Sequence, residues 1–379
     1  MIALLSDKWK RGIVMRMMKA LYHEKAGRPN ASVRMVPYPV CGDDEVIIKV
    51  MACGICKWAE INHDTVGGGG TLAKYPVITG HEFAGYIVEK GKYVTDLEIG
   101  ARVTADNAVP CGHCWYCKNG KPLMCEHFGS YGHNKNGGFA QYISIIAKNV
   151  VPIPDSLSFD EASVTEPVAC AVECFDRAGI QPGERVLVSG MGPHGMILAQ
   201  LCHNSNALHS YAVGLVQSRL DTLASYGVPT ILADRNDYSV HEAKIRELCP
   251  NGVDVIIDTS GSWPMVQSLL KFLKKGGRFI QYGSYHANIE IENPAKFLND
   301  LHFNNQSYIG VSCQVNNFPR AVEFMASGKC NVSTLVTHTF DLDDYFLALD
   351  TNKTDKSTLK VVIHPNGDPS APLDLSKEG

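Results

Sequence analysis

The sequence contains neither a long apolar run nor a long run of basic residues. No stretch approaches the roughly 18 consecutive apolar residues of a membrane-spanning helix, so we expect no membrane partner. The formal net charge of -4 gives no electrostatic reason to expect nucleic acid or an anionic membrane surface as a partner. We therefore expect the protein to act on a small molecule.

The N-terminal segment also lacks the order of a secretory signal. Its basic residues Lys8, Lys10 and Arg11 follow a short apolar start, whereas a secretory signal begins with its basic residues. We predict that residues 1–18 form an extension ahead of the folded chain, and that the protein is cytoplasmic.

Cysteine, by contrast, is plentiful. Disulfide scaffolds are usually short and secreted, so the 13 cysteines of this 379-residue chain are better read as metal ligands where they cluster. A chain of this length is also too long for one hydrophobic core, which predicts two domains.

The secondary-structure signals change along the chain. Short strands broken by glycine and proline continue to about residue 153, and a helical pattern follows up to Gly179. From ERVLVSG to RFIQYGS strands alternate with helices, the last helix being expected over WPMVQSLLKFLKKGG. This alternation predicts an α/β fold with a parallel sheet and right-handed crossovers.

Four cysteines stand in CGHCWYCKNGKPLMC with the spacing C-x2-C-x2-C-x7-C: Cys111, Cys114, Cys117 and Cys125. Four thiolates within so short a segment can close a tetrahedral shell around zinc. The spacing does not match the ferredoxin patterns of iron–sulfur clusters. A closed shell leaves no open coordination position, so we expect a structural zinc.

A catalytic zinc needs an open position and ligands from scattered segments. Cys56, His81 and Glu166 are the candidates. Each also has an ordinary interpretation, as a buried thiol, a hydrogen-bonded core histidine and a residue at a helix N-terminus. Cys53 and Cys56 could instead form a redox pair, but a redox motif is expected at a helix start, and this pair is predicted at a strand end.

A glycine turn follows the first strand of the alternating region. Gly190, Gly192 and Gly195 form G-x-G-x-x-G between a strand and a helix, where the backbone can approach a pyrophosphate. The pattern predicts a dinucleotide site. His194, inside the turn, contacts phosphate or covers the helix face; both interpretations stay open.

The end of the next strand bears on the choice between NAD and NADP. An acidic residue roughly 20 positions after the glycine turn would bind the ribose 2′-hydroxyl of NAD. Gly214 stands there, and Arg219 is near enough in sequence to pair with a 2′-phosphate. Arg219 is equally compatible with a plain surface role, so the sequence leans only slightly to NADP.

With these motifs in order, the chain resembles the zinc-dependent medium-chain dehydrogenases, in particular the sorbitol dehydrogenase-like polyol branch, from about Lys19 to Pro365. The resemblance implies a doubly wound Rossmann sheet at 176–310, inserted in a GroES-like β-rich catalytic domain. That domain would comprise 19–175 and 311–379, with a structural zinc lobe at about 108–128. It also implies two zinc ions per chain, NAD(P) as cofactor, a site in the cleft between the domains, and a homodimer or homotetramer.

The resemblance also implies roles for single residues. Cys56 and His81 match the family's zinc ligands, and Glu82 matches a neighbouring carboxylate that can turn toward the metal. Glu166 matches the glutamate of the polyol branch, which binds zinc directly or through water. Lys57 matches a position that is often basic near the cofactor pyrophosphate.

The chain departs from the family directly after Cys56. A hydroxyl that relays a proton is replaced by Trp58, and an aspartate that orients the histidine ligand is replaced by Ala59. We expect Glu60 to substitute for the aspartate and His63 to substitute for the proton carrier.

These observations predict hydride transfer between NAD(P)+ and a secondary alcohol, with a polyol, sugar alcohol or cyclitol favoured, reversible to ketone reduction. Two alternatives remain open. One is an NADPH-dependent reductase of an activated carbonyl or iminium with an atypical proton relay. The other is a non-catalytic NAD(P)-binding protein that retains the structural zinc.

Overall fold

The computed structural model of the protein describes residues 16–68, 72–285, 289–291 and 293–378. The predicted extension at 1–18 therefore lies almost wholly outside the described residues. Its last two positions, Met17 and Met18, already belong to the first strand.

Eighteen strands and eleven α-helices make up the described part of the chain. The strands are β1 (Met17–His23), β2 (Ala31–Pro37), β3 (Glu45–Gly54), β4 (Val77–Ile78), β5 (Glu82–Lys90), β6 (Arg102–Ala105), β7 (Ala108–Val109), β8 (Gly129–Ser130), β9 (Tyr142–Ile146), β10 (Val150–Pro152), β11 (Arg185–Ser189), β12 (His209–Gly214), β13 (Thr230–Leu232), β14 (Val253–Asp258), β15 (Leu273–Gln281), β16 (Ser307–Gly310), β17 (Val336–Asp341) and β18 (Lys360–His364). The helices are α1 (Lys57–Asp64), α2 (Trp115–Lys118), α3 (Phe159–Ser163), α4 (Thr165–Ala178), α5 (Pro193–His203), α6 (Gln217–Ser225), α7 (Ser239–Leu248), α8 (Trp263–Leu270), α9 (Pro294–Phe303), α10 (Phe318–Ala326) and α11 (Tyr345–Thr354).

These elements form two compact units. The first unit contains the residues up to Cys114, then Cys125–Ser163 and the segment from His338 onward. The second unit contains Trp115–Met124 and Val164–Thr337. None of the helices in the described ranges combines the length and the apolar character that crossing a membrane requires.

The first unit is β-rich. A seven-stranded sheet has the order β10-β6-β5-β3-β18-β17, with β9 also paired to β3, and a three-stranded sheet has the order β2-β1-β4. Strand β3 is central and pairs antiparallel with β5, β9 and β18. Its sequence EVIIKVMACG is buried along almost its whole length. This strand leads straight into the candidate site at Cys56.

The second unit holds a six-stranded parallel sheet with the order β13-β12-β11-β14-β15-β16. The strand order reverses between β11 and β14, as in a doubly wound sheet, and ligands of such sheets bind at the carboxyl ends beside this reversal. The predicted α/β fold class is confirmed.

One expected helix was too long. WPMVQSLLKFLKKGG was assigned to a single helix, but α8 ends at Leu270 and β15 begins at Leu273. The segment from Leu273 pairs with β14, so the sheet ladder overrides the helical preference of the lysines. Two further elements, β13 and α7, are short or weakly patterned and were not predicted.

Candidate functional site

The four cysteines of the segment CGHCWYCKNGKPLMC come together. The sulfur atoms of Cys111, Cys114, Cys117 and Cys125 all lie within 4.8 Å of one another. Backbone N–H groups point at two of these sulfurs: Cys111 N and His127 N donate to Cys125 Sγ at 3.2 and 3.3 Å, and Cys114 N donates to Cys111 Sγ at 3.4 Å. Such donors stabilise thiolates, and a closed four-sulfur set suits a structural zinc ion.

A second group of metal-ligand type lies in the first unit. Ligand atoms of Cys56, His81 and Glu82 lie within 4.8 Å of one another. Cys56 follows β3 and is the N-cap of α1, whereas Glu82 begins β5 and pairs with Gly54 of β3. A Cβ atom at Gly54 would overlap the Glu82 carboxylate, so the glycine before Cys56 is required by this close approach. Sulfur, nitrogen and oxygen donors in one place fit zinc.

The position of Cys56 corrects one expectation. The Cys53–Cys56 pair was predicted at a strand end with no helix, but α1 begins directly after Cys56. That part of the case against a redox pair was therefore wrong, because the helix signal in KWAEINHD was missed. Cys53 is buried within β3 and Cys56 is partly exposed, and both are free thiols.

Glu60 lies against His81. Its Oε1 atom is 4.0 Å from His81 Nδ1, and the side chain of Glu60 is 0 % exposed. Neither carboxylate oxygen has a hydrogen-bond partner among the residues that the structure describes. Burial raises the pKa of Glu60 to about 7. A carboxyl group thus faces the histidine from one position beyond Ala59, within the turn of α1 that follows Cys56.

Lys360 is a residue of the site that no sequence pattern had indicated. Its ammonium group donates to Glu82 Oε2 and, at 3.2 Å, to the backbone carbonyl of Ile55. Both Lys360 and Glu82 are buried. No local motif could have found it, since Lys360 lies 278 residues after Glu82 in the chain.

Other residues that follow Cys56 divide between solvent and core. Lys57 is exposed, and Trp58 is 54 % exposed. His63 is fully buried, and its Nδ1 atom is 2.7 Å from the hydroxyl of Tyr75. The helical period of α1 turns Ala59, Glu60 and His63 inward and Trp58 outward.

Glu166 lies in the second unit, in the first turn of α4. Its Oε1 atom accepts a hydrogen bond from the Cys170 thiol at 3.1 Å. The helix ends at Gly179, which has the left-handed conformation of a helix C-cap with φ 57°. The predicted helix stop at Gly179 is therefore confirmed.

The glycine turn connects β11 to α5, as the sequence predicts. Gly190 has φ 91°, and a Cβ there would lie 2.6 Å from Ser260 N. At Gly195 a Cβ would overlap the carbonyl oxygen of Gly190. Gly192 is the N-cap of α5 and has open space around it. The two outer glycines are thus needed for packing, and the middle one leaves the backbone accessible at a helix N-terminus.

Two further residues fix this turn. Arg219 Nη1 donates to the Met191 carbonyl at 3.1 Å. Asp258, fully buried at the end of β14, accepts from Ser189 Oγ at 2.8 Å and Ser260 Oγ at 2.6 Å. Asp258 was not singled out from the sequence, although it opens the turn-like stretch DTSG. The ring of His194 lies 5.2 Å from that of Tyr282.

A cavity of about 340 Å³ opens in the second unit at the carboxyl ends of β15 and β16. Tyr282, Gly283, Ser284, Val311 and Ser312 line it together with Glu173 and Arg177 of α4. Its size lies within the range of small-molecule pockets, and its place is the edge of the sheet where ligands of doubly wound folds bind.

Family models, curated relatives and solved structures all indicate the same kind of protein. The family model described as alcohol dehydrogenase GroES-like domain matches residues 42–155, and the one described as zinc-binding dehydrogenase matches residues 193–327. D-arabinitol dehydrogenase 1 of Uromyces fabae is 33 % identical over 352 residues, which cover 92 % of this chain and 97 % of that protein. Sorbitol dehydrogenase of Bacillus subtilis (strain 168) is 32 % identical over 337 residues, or 88 % of this chain and 94 % of that protein. Among solved structures, a protein of Sinorhizobium meliloti 1021 bound to NADP is similar, with a TM-score of 0.81 and 28 % identity, covering 92 % of this chain and all of that one.

Proposed function

The chain belongs to the zinc-dependent medium-chain dehydrogenases, in their polyol branch, and from this we propose that it transfers a hydride between a polyol and NADP+. Membership of the family makes it an NAD(P)-dependent alcohol dehydrogenase; the polyol substrate and the choice of NADP+ are the proposal. The main support for the proposed reaction is that ligand atoms of Cys56, His81 and Glu82 lie within 4.8 Å of one another. Such a donor set suits a catalytic zinc ion.

Two zinc ions per chain are part of the proposal. Cys56, His81 and Glu82 would hold the catalytic ion, and the four-cysteine lobe would hold the structural ion. A bound zinc ion supplies a Lewis acid that lowers the pKa of an alcohol. Glu60 places a carboxyl group 4.0 Å from His81 Nδ1, one position beyond the Ala59 that replaces the family's aspartate.

The glycine turn binds the cofactor. Gly192 leaves room for the pyrophosphate at the N-terminus of α5. Gly214 presents no carboxylate to repel a 2′-phosphate, and Arg219 offers a guanidinium group nearby. One similar solved structure is bound to NADP and another to NADH, so the preference rests on Gly214 and Arg219.

The substrate class rests on the relatives. Two of them are named for D-arabinitol and sorbitol, which are both polyols. We extend the proposal to a cytoplasmic location, because none of the 13 cysteines forms a disulfide bond. The resemblance to the family supports a homodimer or homotetramer.

One preparation tests the proposal. Oxidation of D-arabinitol, sorbitol and 2,3-butanediol is followed with NADP+ and with NAD+, and zinc is quantified in the same sample. We expect two zinc ions per chain and faster oxidation with NADP+. A chain with one zinc ion and no turnover of any of these alcohols would contradict the proposal.

A further inference from the structure

The end of β14 and the turn after it, residues 258–261, pack against the glycine turn; we call this segment the aspartate turn. Thr259 N donates to the carbonyl oxygen of Ser189 at 2.8 Å. Thr259 Oγ1 lies 2.9 Å from the same oxygen and 2.5 Å from the carbonyl oxygen of Gly190, so its proton is shared between two backbone acceptors. A Cβ atom at Gly195 would lie 2.7 Å from this hydroxyl. Thr259 therefore holds the start of the glycine turn and adds to the need for glycine at position 195.

Asp258 provides the acceptor in this arrangement. Its buried carboxylate accepts hydrogen bonds from Ser189 Oγ at 2.8 Å, Ser260 Oγ at 2.6 Å, Ser260 N at 3.1 Å and Gly261 N at 3.2 Å. All four bonding groups are donors, and a carboxylate is the side chain that only accepts. An amide at this position would instead turn N–H groups toward other donors. The carboxylate thus joins Ser189, directly before the glycine turn, to the backbone of the aspartate turn.

The aspartate turn also contacts the loop after β15. The backbone carbonyl of Asp258 accepts from Tyr282 N at 3.0 Å and from Gly283 N at 2.7 Å. A Cβ atom at Gly261 would overlap the carbonyl oxygen of Ser284, so the two segments are in close contact there. The residues of this loop line the cavity at the carboxyl ends of β15 and β16. The aspartate turn therefore touches both the glycine turn and the wall of the cavity.

We propose that Asp258 and Thr259 are positioning residues of the cofactor site, which hold the glycine turn in the shape that accepts the pyrophosphate. The inference rests on the proposed function, in which this turn binds the cofactor. Both residues act through Ser189 and Gly190 rather than on the cofactor itself. A turn that is already fixed in its binding shape loses little conformational entropy when the ligand binds, and its affinity is correspondingly higher.

The glycine turn needs such support because glycine has the largest backbone freedom to lose. Gly190 has φ 91°, a conformation that residues with a side chain rarely adopt. The parallel pairing of β11 with β14 ends at Ser189 and Asp258, directly before the turn. Removing the Asp258 carboxylate or the Thr259 hydroxyl should therefore loosen the turn and leave the pairing of the two strands in place.

Calorimetric binding of NADP+ and NAD+ to the zinc-containing full chain provides the first test. Asp258→Asn and Thr259→Val each keep the shape of the side chain and remove the bonding function. We expect each variant to bind the preferred cofactor about tenfold more weakly, as for a turn that holds its binding shape for about a tenth of the time. Thr259→Ser retains the hydroxyl and should bind like the parent protein. The matched control is Ser210→Ala, because Ser210 is a buried serine of β12 whose hydroxyl has no partner within the described ranges.

A second ligand separates loss of positioning from damage to the whole unit. Adenosine 2′-monophosphate has no pyrophosphate, so its affinity for the variants should stay near that for the parent protein. Amide hydrogen exchange should become faster at residues 189–196 and stay unchanged in β3. Equal weakening of both ligands would overturn the inference, and so would an unchanged affinity of Asp258→Asn and Thr259→Val for the dinucleotide.

Turnover is measured separately from binding. We expect KM for the cofactor to rise in both variants while KM for the alcohol stays near its parent value. A merely structural role would lower the rate through the fraction of folded protein and leave both KM values unchanged. A parent protein that binds the dinucleotide but oxidises no polyol would contradict the proposed function, while weaker binding by the two variants would still support the positioning role.

Discussion

The ammonium group of Lys360 donates a hydrogen bond to the carboxylate of Glu82, and both side chains are almost completely buried. Lys360 begins β18, and this strand pairs with the end of β3, where Val362 lies opposite Gly54. A strand from the C-terminal segment therefore supplies the counter-charge for a candidate metal ligand. The pair connects the stability of the first unit to the geometry of its site.

Replacing Lys360 with methionine should destabilise the protein strongly. Glu82 would lose the buried ammonium group that its carboxylate contacts, and breaking such a pair costs about 3 to 5 kcal/mol. Urea unfolding followed by fluorescence measures the change in the free energy of unfolding. As a control, Lys274→Met removes a partly exposed pair with Asp254 and should cost only about 1 kcal/mol or less. Equal losses in the two variants would show that burial of the Lys360 pair has no special effect.

The structural zinc should depend on each cysteine of the lobe. Cys125→Ser removes one thiolate from the group that lies within 4.8 Å, so we expect this variant to retain only the other zinc ion and the lobe to become sensitive to proteases. Metal analysis and limited proteolysis give the readout. Cys330→Ser is the matched control, because Cys330 is also buried but belongs to no metal-ligand group in the described residues. Unchanged zinc content in Cys125→Ser would argue against a metal in the lobe.

Cofactor preference should respond to a single residue of the second unit. Gly214→Asp places a carboxylate at the end of β12, where it would repel a 2′-phosphate and accept from a ribose hydroxyl. The added Cβ would approach the flexible Met191 side chain at 2.7 Å, which can move. We expect the ratio of kcat/KM for NADP+ over NAD+ to fall by about tenfold or more. Gly214→Ala tests for the steric effect alone and should leave the ratio near that of the parent enzyme.

The buried His23 should make stability depend on acid. Its pKa is lowered from 6.5 to about 4, so the unfolded chain binds a proton that the folded protein does not bind between these values. The stability of the wild type should therefore fall, relative to His23→Gln, as the pH decreases from 6.5 to 4, by about 3 kcal/mol in total. Chemical unfolding of both proteins at several pH values measures this difference. A difference that stays constant with pH would contradict the assigned burial.

The sequence by itself determined the features that depend on near neighbours in the chain. Four cysteines within CGHCWYCKNGKPLMC can meet only at one place, because the connecting loops are too short to separate them. The glycine turn likewise follows from a strand, a tight turn and a helix in immediate succession. The alternation of strands and helices gave the α/β class, since a parallel strand needs a crossover connection.

Only the tertiary structure decided which distant residues face the site. Lys360 meets Glu82, and His23 meets His63 and Tyr75, because the pairing register of β18 with β3 and of β1 with β4 brings those segments together. The inward direction of Glu60 required α1 itself, a short helix whose start at Cys56 the local pattern had not revealed. Strand register depends on the packing of the whole sheet, so a one-residue shift would turn each of these side chains to the other face.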